Sequence, residues 1–278
     1  MRTARFLVPA GMEGVYHVVS RVVDRRMAFG EEEKRHFVKL MKAYAGFSGL
    51  TLASWCVMDN HFHILVVVPE KTEEEVPESV VLQRMAKLYD ARFMKEFRAR
   101  LEACGTADGR RSLLRPYTRR MGDLGLFMKT LKQRFSQWFN RKHQRKGTLW
   151  EDRYHSTIVE YQGYSKPVTG TDREAAEVKS HAARVVAAYI DLNPIRAGIV
   201  DDPKDYAWSS YGAAVRGDKE ALCGLQALWG DSKAKCLAEH RLFIYEEGEE
   251  EETQDDKTQD TRAGADRLVR RGIDAKKV

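Results

Sequence analysis

Residues 59–68 are the stretch that decides the fold, and they read Asp-Asn-His-Phe-His-Ile-Leu-Val-Val-Val. Because side chains alternate between the two faces of a strand, His61 and His63 point to one face, while Phe62 and Ile64 point to the other, into a core. The two imidazoles are about 6–7 Å apart along such a strand, which lets them converge on one divalent ion. The stretch therefore predicts a largely buried strand that carries half of a metal-dependent phosphoryl-transfer site.

The segments around this strand predict the element order β-α-β-β-α-β. Alternating β-branched residues and amphipathic spacing predict strands and helices, namely strands at 14–23, 51–58, 61–68 and 156–161 and helices at 31–48 and 119–142. This order is the ferredoxin-like split βαβ arrangement. We therefore predict an α+β fold with an antiparallel sheet of four to five strands, helices on one face, the histidine strand at its centre, and helical additions.

The remaining segments predict additions to one main domain, which we place at residues 1–215 of the 278-residue chain. A polar, charge-rich insertion at about 70–118 is expected to hold a helix over 78–103 and then a flexible stretch around Gly105 and Gly109. A later helix over 173–191 is expected to stop before Pro194, because proline lacks an N–H group.

Charge is strongly segregated along the chain, although the net charge is only +6. Residues 111–150 hold eleven Lys and Arg against one acid, Asp123, with aromatic residues interleaved. Such a segment suits a polyanion that has bases to stack on, or is simply a solvated helix face. The C-terminal end differs: a helical extension is expected at 216–245, and nine acids against one lysine over 246–260 indicate a disordered, charged tail at 246–278.

Four separate blocks of the sequence resemble one family, the HUH single-tyrosine transposases, in the branch associated with repetitive extragenic palindromes. They are the His61-Phe-His63 strand, the segment from Phe139 to Tyr154, the segment from Tyr189 to Val200, and the segment from Tyr206 to Tyr211. A single His-x-His is a weak signal, but four blocks in the right order are a strong one.

The resemblance implies a DNA transposase that acts as a single-strand DNA endonuclease and strand transferase. In this family a tyrosine attacks a phosphodiester, forms a 5′-phosphotyrosine and frees a 3′-hydroxyl, while the histidine pair holds Mg²⁺ or Mn²⁺. It implies catalytic roles for Tyr154, His61 and His63, with His61 and His63 as the metal ligands. Single-stranded or hairpin DNA is the expected partner, and a monomer is expected rather than a dimer.

Several alternatives stay open at this stage. Tyr161 and Tyr164 compete with Tyr154 as the nucleophile because they follow it closely. The resemblance implies a third metal ligand, often a glutamine four residues after the tyrosine. That position here is Ile158, which cannot ligate a metal, so the candidates are His155, Glu151, Asp152 and Gln144. His17 of the first strand either lines the sheet face near the metal or is a packed strand residue, and we expect the second.

DNA contacts are expected from cationic residues of the basic segment and its neighbour, namely Arg134, Arg141, Lys142, Arg145, Lys146 and Arg153. The other class of function that fits is a domesticated nucleic-acid-binding protein without turnover. Cysteines that lie far apart argue against a zinc ribbon and a disulfide framework, and no apolar run reaches membrane-spanning length. A cytoplasmic protein is therefore expected.

Overall fold

The protein is described by a computed structural model at residues 8, 11–71, 75–162, 172–230 and 232–255. Four strands form one antiparallel sheet in the order β2-β3-β1-β4, and their bounds are β1 Glu13–Arg21, β2 Thr51–Val57, β3 His61–Val68 and β4 His155–Gln162. This is the predicted split βαβ topology, with the histidine strand β3 between β1 and β2. The predicted α+β class and the central position of β3 are confirmed.

One face of the sheet is covered by two helices, α1 (Glu31–Ser48) and α5 (Leu124–Lys142). Strand β1 alternates regularly, so that Tyr16 and Val18 are buried on this face while the residues between them are half-buried on the other. Phe62 and Ile64 of β3 join the same apolar cluster. This face holds the main hydrophobic core, as the apolar positions of β3 predict.

The opposite face of the sheet carries the additional helices. Helix α6 (Asp172–Arg196) contacts β2, β3 and β4, and helix α8 (Lys219–Trp229) packs against β2. Leu65 and Cys56 of the sheet are buried there together with Ala187 of α6. Because β3 presents its histidines to this face, α6 is the element that can bring other side chains to them.

The predicted insertion contains three helices, where the sequence suggested one followed by a flexible stretch. They are α2 (Glu78–Met85), α3 (Ala91–Glu102) and α4 (Ala107–Thr118). The predicted helix over 78–103 is interrupted at Asp90, whose carboxylate accepts a hydrogen bond from the Phe93 amide at 2.8 Å and so begins α3. Thr106 begins α4 in the same way, which places Gly109 inside a helix.

Helix α6 continues through Pro194, contrary to the expectation that the proline would stop it. Proline leaves the carbonyl four residues earlier without a main-chain donor. The Asn193 side-chain amide fills that gap, because its Nδ2 donates to the carbonyl of Ile190 at 3.3 Å and to that of Tyr189 at 2.9 Å. The last turn of α6 is thereby retained, and Arg196 stays on the helix.

Two further helices, α7 (Ser210–Val215) and α9 (Lys233–Asp255), complete the chain as described. Helix α9 continues ten residues beyond 245, so the expected disordered tail does not begin at 246; residues 256–278 lie outside the described part. Among the residues described, no helix combines the length and the apolar character that crossing a membrane requires.

A buried carboxylate ties these later helices to the sheet. Asp191 of α6 accepts hydrogen bonds from Ser210 Oγ at 3.1 Å and from Ser54 Oγ at 3.4 Å, and it lies 3.0 Å from Nε2 of His240 on α9. Its own side chain and that of His240 are fully buried. Because a buried carboxylate is costly unless its oxygens are paired, this network fixes α6 against β2, α7 and α9.

Candidate active site

The histidine pair lies at the start of β3, immediately after a two-residue turn. The ring centroids of His61 and His63 are 5.1 Å apart, with the rings nearly perpendicular. Asn60 Oδ1 accepts the Nδ1–H of His61 at 2.7 Å, and its Nδ2 donates to the carbonyl of Arg25 at 2.8 Å. The second contact fixes the orientation of the Asn60 amide, with its oxygen towards His61. Nδ1 of His61 must therefore carry the proton, and the lone pair on Nε2 of His61 is left available.

His63 is held from the neighbouring strand. The ring of His17 in β1 lies nearly parallel to that of His63 and meets it at the edge, with ring centroids 5.2 Å apart and Nε2 of His17 3.0 Å from Nδ1 of His63. Burial, with a smaller contribution from nearby positive charges such as Arg21, lowers the pKa of His61 to about 4 and that of His63 to about 3. Both rings are therefore neutral near pH 7, which is the form that binds a metal ion.

Helix α6 brings a tyrosine to this histidine cluster. The ring centroid of Tyr189 lies 5.8 Å from that of His63 and 6.2 Å from that of His17, and both contacts are edge-on. Tyr189 is 40% exposed, so its ring contacts the cluster without being enclosed. It is therefore a phenol that solvent or a ligand can reach beside the histidine pair.

Two arginines add positive charge to the same place. Arg196 follows Tyr189 by seven residues on α6. Its guanidinium lies 4.6 Å from the centroid of the Tyr189 ring, and its Nη1 donates to the Tyr189 carbonyl at 2.9 Å. Arg21 of β1 is paired directly opposite His61 in the sheet, and its charge lowers the pKa of both histidines. The site is suited to an anionic group such as a phosphodiester.

Tyr154 lies on the other face of the sheet. It directly precedes β4, whose first residue, His155, is paired with Val19 on the histidine face. Tyr154 therefore points to the opposite face, where it packs against the main core; its hydroxyl lies 3.9 Å from the point that a Cβ on Gly125 of α5 would occupy. The structure does not bring this phenol to the His61–His63 pair.

The segment that carries Tyr154 is anchored by a buried lysine of α5. Lys132 Nζ donates to Ser20 Oγ at 2.7 Å and to the carbonyl of Asp152 at 2.8 Å, and Ser20 Oγ also contacts the carbonyl of Arg153. A cleft lies here, lined by the end of β1 and by residues 151–155. The anchoring keeps Tyr154 on the α5 side.

The other candidate nucleophiles and metal ligands do not join the histidine cluster in the described part of the chain. Tyr161 lies in β4, paired with Gly14, but its side chain is outside the described part, as is the whole of Tyr164. His155 shares the histidine face but is separated from His63 by the whole width of β1. In the described ranges, no three His, Cys, Asp or Glu side chains come together as a metal-binding group.

The predicted DNA-binding residues lie mostly on the α5 side of the sheet, away from the histidine face. Arg134, Arg141 and Lys146 are exposed and form no ion pair with another described residue. Lys142 differs, because its Nζ lies 2.6 Å from carboxylate oxygens of both Glu32 and Glu33. The remaining two are Arg145, whose guanidinium lies 5.6 Å from the Phe139 ring centroid, and Arg153, which is exposed.

Three residues of the cluster, His17, Tyr189 and Arg196, were not predicted as site residues, although His17 was considered near the metal and the other two lie in the family-like segment from Tyr189 to Val200. His17 could have been identified from strand alternation, because its side chain lies on the face of β1 that is turned away from the main core, next to the central strand β3. Tyr189 and Arg196 are seven residues apart, which places them on one side of a helix. Nothing in the sequence says that this side meets the histidines, since that depends on how α6 packs.

Comparisons with known proteins found a family model and a solved structure that are similar to this chain. A family model described as "Transposase IS200 like" matches residues 12–106, about a third of the chain, which hold His17, His61 and His63 but end before both candidate tyrosines. No curated protein matches the chain. A solved structure described as a REP-associated tyrosine transposase bound to a REP hairpin aligns with a TM-score of 0.38 and 13% identity, over 78% of this chain and 87% of its own. Over residues 12–106, this chain is therefore similar to the IS200-like transposases.

Proposed function

We propose that this protein cleaves and rejoins single-stranded DNA with the help of a divalent metal ion, and that Tyr189 is its nucleophile. The observation that carries the proposal is the position of Tyr189, with its ring 5.8 Å from His63 on the face that also presents His61. The similarity of residues 12–106 to a transposase family model supports the class of reaction. Tyr189 replaces Tyr154 in this proposal because Tyr154 packs on the other face.

His61 and His63 would hold the metal ion, Mg²⁺ or Mn²⁺. Both rings are neutral near pH 7, and His61 has its Nε2 available, so the donor chemistry fits. Imidazole is not the preferred ligand of Mg²⁺, so water and the DNA phosphate would complete the shell. When bound, the ion would polarise a non-bridging phosphate oxygen and stabilise the departing oxygen.

The covalent step involves one bond formed and one bond broken. The phenolic oxygen of Tyr189 gives up its proton to solvent and forms a bond to phosphorus, while the bond between phosphorus and the 3′-oxygen breaks. The 3′-oxygen takes up a proton from solvent and leaves as a hydroxyl. Attack by a 3′-hydroxyl on the phosphotyrosine reverses the step, so the phosphodiester energy is conserved. Arg196 and Arg21 would bind the negatively charged phosphate beside Tyr189.

Hairpin DNA is the substrate that the sequence resemblance favours. The exposed cations of α5, such as Arg134 and Arg141, would bind phosphates of the DNA away from the cleaved bond, as would Lys146 and Arg153. A monomer remains the expected oligomeric state. The alternative function is DNA binding without turnover, and one observation favours it: the described residues include no three-ligand metal group.

The decisive experiment traps the covalent intermediate. The full chain is incubated with Mn²⁺ and single-stranded hairpin oligonucleotides, and the protein–DNA adduct is digested and sequenced by mass spectrometry. We expect the nucleotide on Tyr189 and no adduct in His61→Ala or His63→Ala. An adduct on Tyr154 would overturn the choice of nucleophile, and bound but uncleaved DNA with no adduct would support the alternative function.

A further inference from the structure

The two histidines of β3 are alike in how the rest of the protein contacts them. In each, Nδ1 is engaged by a neighbouring polar atom: Asn60 Oδ1 at 2.7 Å from His61, and His17 Nε2 at 3.0 Å from His63. A metal-binding histidine ordinarily donates its second ring N–H to a partner, which fixes the tautomer and the ring orientation. His17 thus stands where such a partner would be.

Two arrangements of protons fit the contact between His17 and His63. If His17 donates, then His63 carries its proton on Nε2, and neither of its nitrogens can bind a metal ion. If His63 donates from Nδ1, its Nε2 lone pair is free, as it is in His61. The second arrangement gives the two rings of β3 the same tautomer and leaves two nitrogens on one face of the strand.

We propose that His17 is a positioning residue that accepts the Nδ1–H of His63 and thereby keeps the Nε2 of His63 available for a divalent metal ion. This inference rests on the proposed function, because it assumes that the histidine pair binds metal. The two ring planes differ by only 20°, which suits a hydrogen bond that lies close to the plane of both rings. The fold supplies the contact directly, since β1 and β3 are neighbouring strands.

His17 contacts no DNA in this proposal and acts only through His63. A competing role is direct coordination, in which His17 would be a third ligand of the ion. The two roles differ in a measurable way, because a positioning residue leaves two imidazoles on the metal and sets the tautomer of His63 before any metal is added.

The test uses the metal-free full chain, labelled with ¹⁵N in its histidines, and long-range ¹H–¹⁵N spectra that report each tautomer. We expect His63 to be protonated on Nδ1 in the wild type and to shift towards the Nε2–H form in His17→Phe. A wild-type His63 protonated on Nε2 would overturn the inference. This readout needs neither metal nor DNA, so it is independent of the proposed function.

Metal binding gives the second readout. Calorimetric titration with Mn²⁺ alone should show about 10- to 100-fold weaker binding for His17→Phe, as for other residues that orient metal ligands. His17→Gln, whose side-chain oxygen can still accept the Nδ1–H, should recover most of the affinity, and His181→Phe on the exposed part of α6 is the control. Unchanged affinity in His17→Phe would contradict the inference.

Electron spin-echo spectra of bound Mn²⁺ separate the two roles of His17. Two coordinated imidazoles in the wild type support the positioning role, and three would overturn it. If neither the wild type nor His61→Ala binds Mn²⁺, the metal part of the proposed function fails, while the tautomer spectra still decide the role of His17. Circular dichroism of each variant checks that the fold is retained.

Discussion

Tyr189 and His63 meet edge-on across the contact between α6 and β3, with ring centroids 5.8 Å apart, although they are 126 positions apart in the chain. Tyr154 is nearer in sequence, yet it points to the other side of the sheet. The difference between the two tyrosines is one of face. Under the proposed function, this difference determines which tyrosine can reach a phosphate held at the histidine pair.

The first prediction compares the two tyrosines by removing one oxygen from each. We expect Tyr189→Phe to reduce strand cleavage to background while DNA binding is retained, because only the attacking oxygen is lost. Tyr154→Phe should cleave at close to the wild-type rate. Gel assays of cleavage and of binding on the same oligonucleotide measure both. Loss of cleavage in Tyr154→Phe alone would reverse the assignment.

The second prediction concerns the buried carboxylate of Asp191. Asp191→Ala should lower the free energy of unfolding by about 3–5 kcal/mol, because it leaves Ser210, Ser54 and His240 buried without this acceptor. Urea denaturation measures the change. The control is Asp205→Ala, an exposed acid that should change stability by no more than about 0.5 kcal/mol. Equal effects of the two substitutions would argue against the network.

A third prediction tests the close packing of α8 on β2. A Cβ added at Gly224 would lie 2.2 Å from the carbonyl oxygen of Leu52, a main-chain atom that cannot rotate away. Gly224→Ala should therefore destabilise the protein by about 1–3 kcal/mol. Gly105→Ala is the matched control, because a Cβ there meets nothing within 4 Å. Thermal unfolding of both variants should show a lower melting temperature for the first only.

The fourth prediction is a pH dependence of stability at Glu33. Burial raises the pKa of this carboxyl, but hydrogen bonds from Lys142, the helix main chain and His143 outweigh it, and the pKa is lowered from 4.5. A depressed carboxyl pKa stabilises the fold above the unfolded value, and the contribution disappears as pH falls through the folded value.

Urea denaturation of the wild type and Glu33→Gln measures this contribution. The stability difference between them should be constant from pH 7 to about 5 and should shrink as the pH falls below 4.5. A difference that stays constant down to pH 3 would mean that the carboxylate charge contributes nothing.

The fifth prediction separates cations of the basic segment by their contacts. Arg141→Ala should reduce the slope of log affinity against log salt by about 1, as expected for a phosphate contact. Lys142→Ala should reduce it less, because Glu32 and Glu33 already neutralise that ammonium group. Fluorescence anisotropy with a single-stranded oligonucleotide over a salt series measures both slopes. Identical slopes for both variants and the wild type would mean that these cations of α5 do not contact the DNA phosphates.

The helix boundaries show where sequence reasoning was sufficient and where it was not. The 31–48 helix and the 61–68 strand were predicted at their observed bounds, because their apolar spacing is a local property. Pro194 was misread as a helix stop, because the compensating hydrogen bonds come from the side chain of Asn193, a contact that single-residue propensities do not include. The insertion was predicted to hold one helix but holds three, because the N-caps at Asp90 and Thr106 begin the new helices α3 and α4.

The sequence by itself determined the split βαβ sheet, the central place of the His61–His63 strand and the face that its histidines share, because strand alternation is a property of the backbone. Only the tertiary structure decided which tyrosine meets them. Tyr154 and His155 are adjacent yet point to opposite faces, whereas Tyr189 reaches His63 because buried contacts such as those of Asp191 fix α6 on the histidine side. Packing between distant segments, which no local pattern encodes, made that choice.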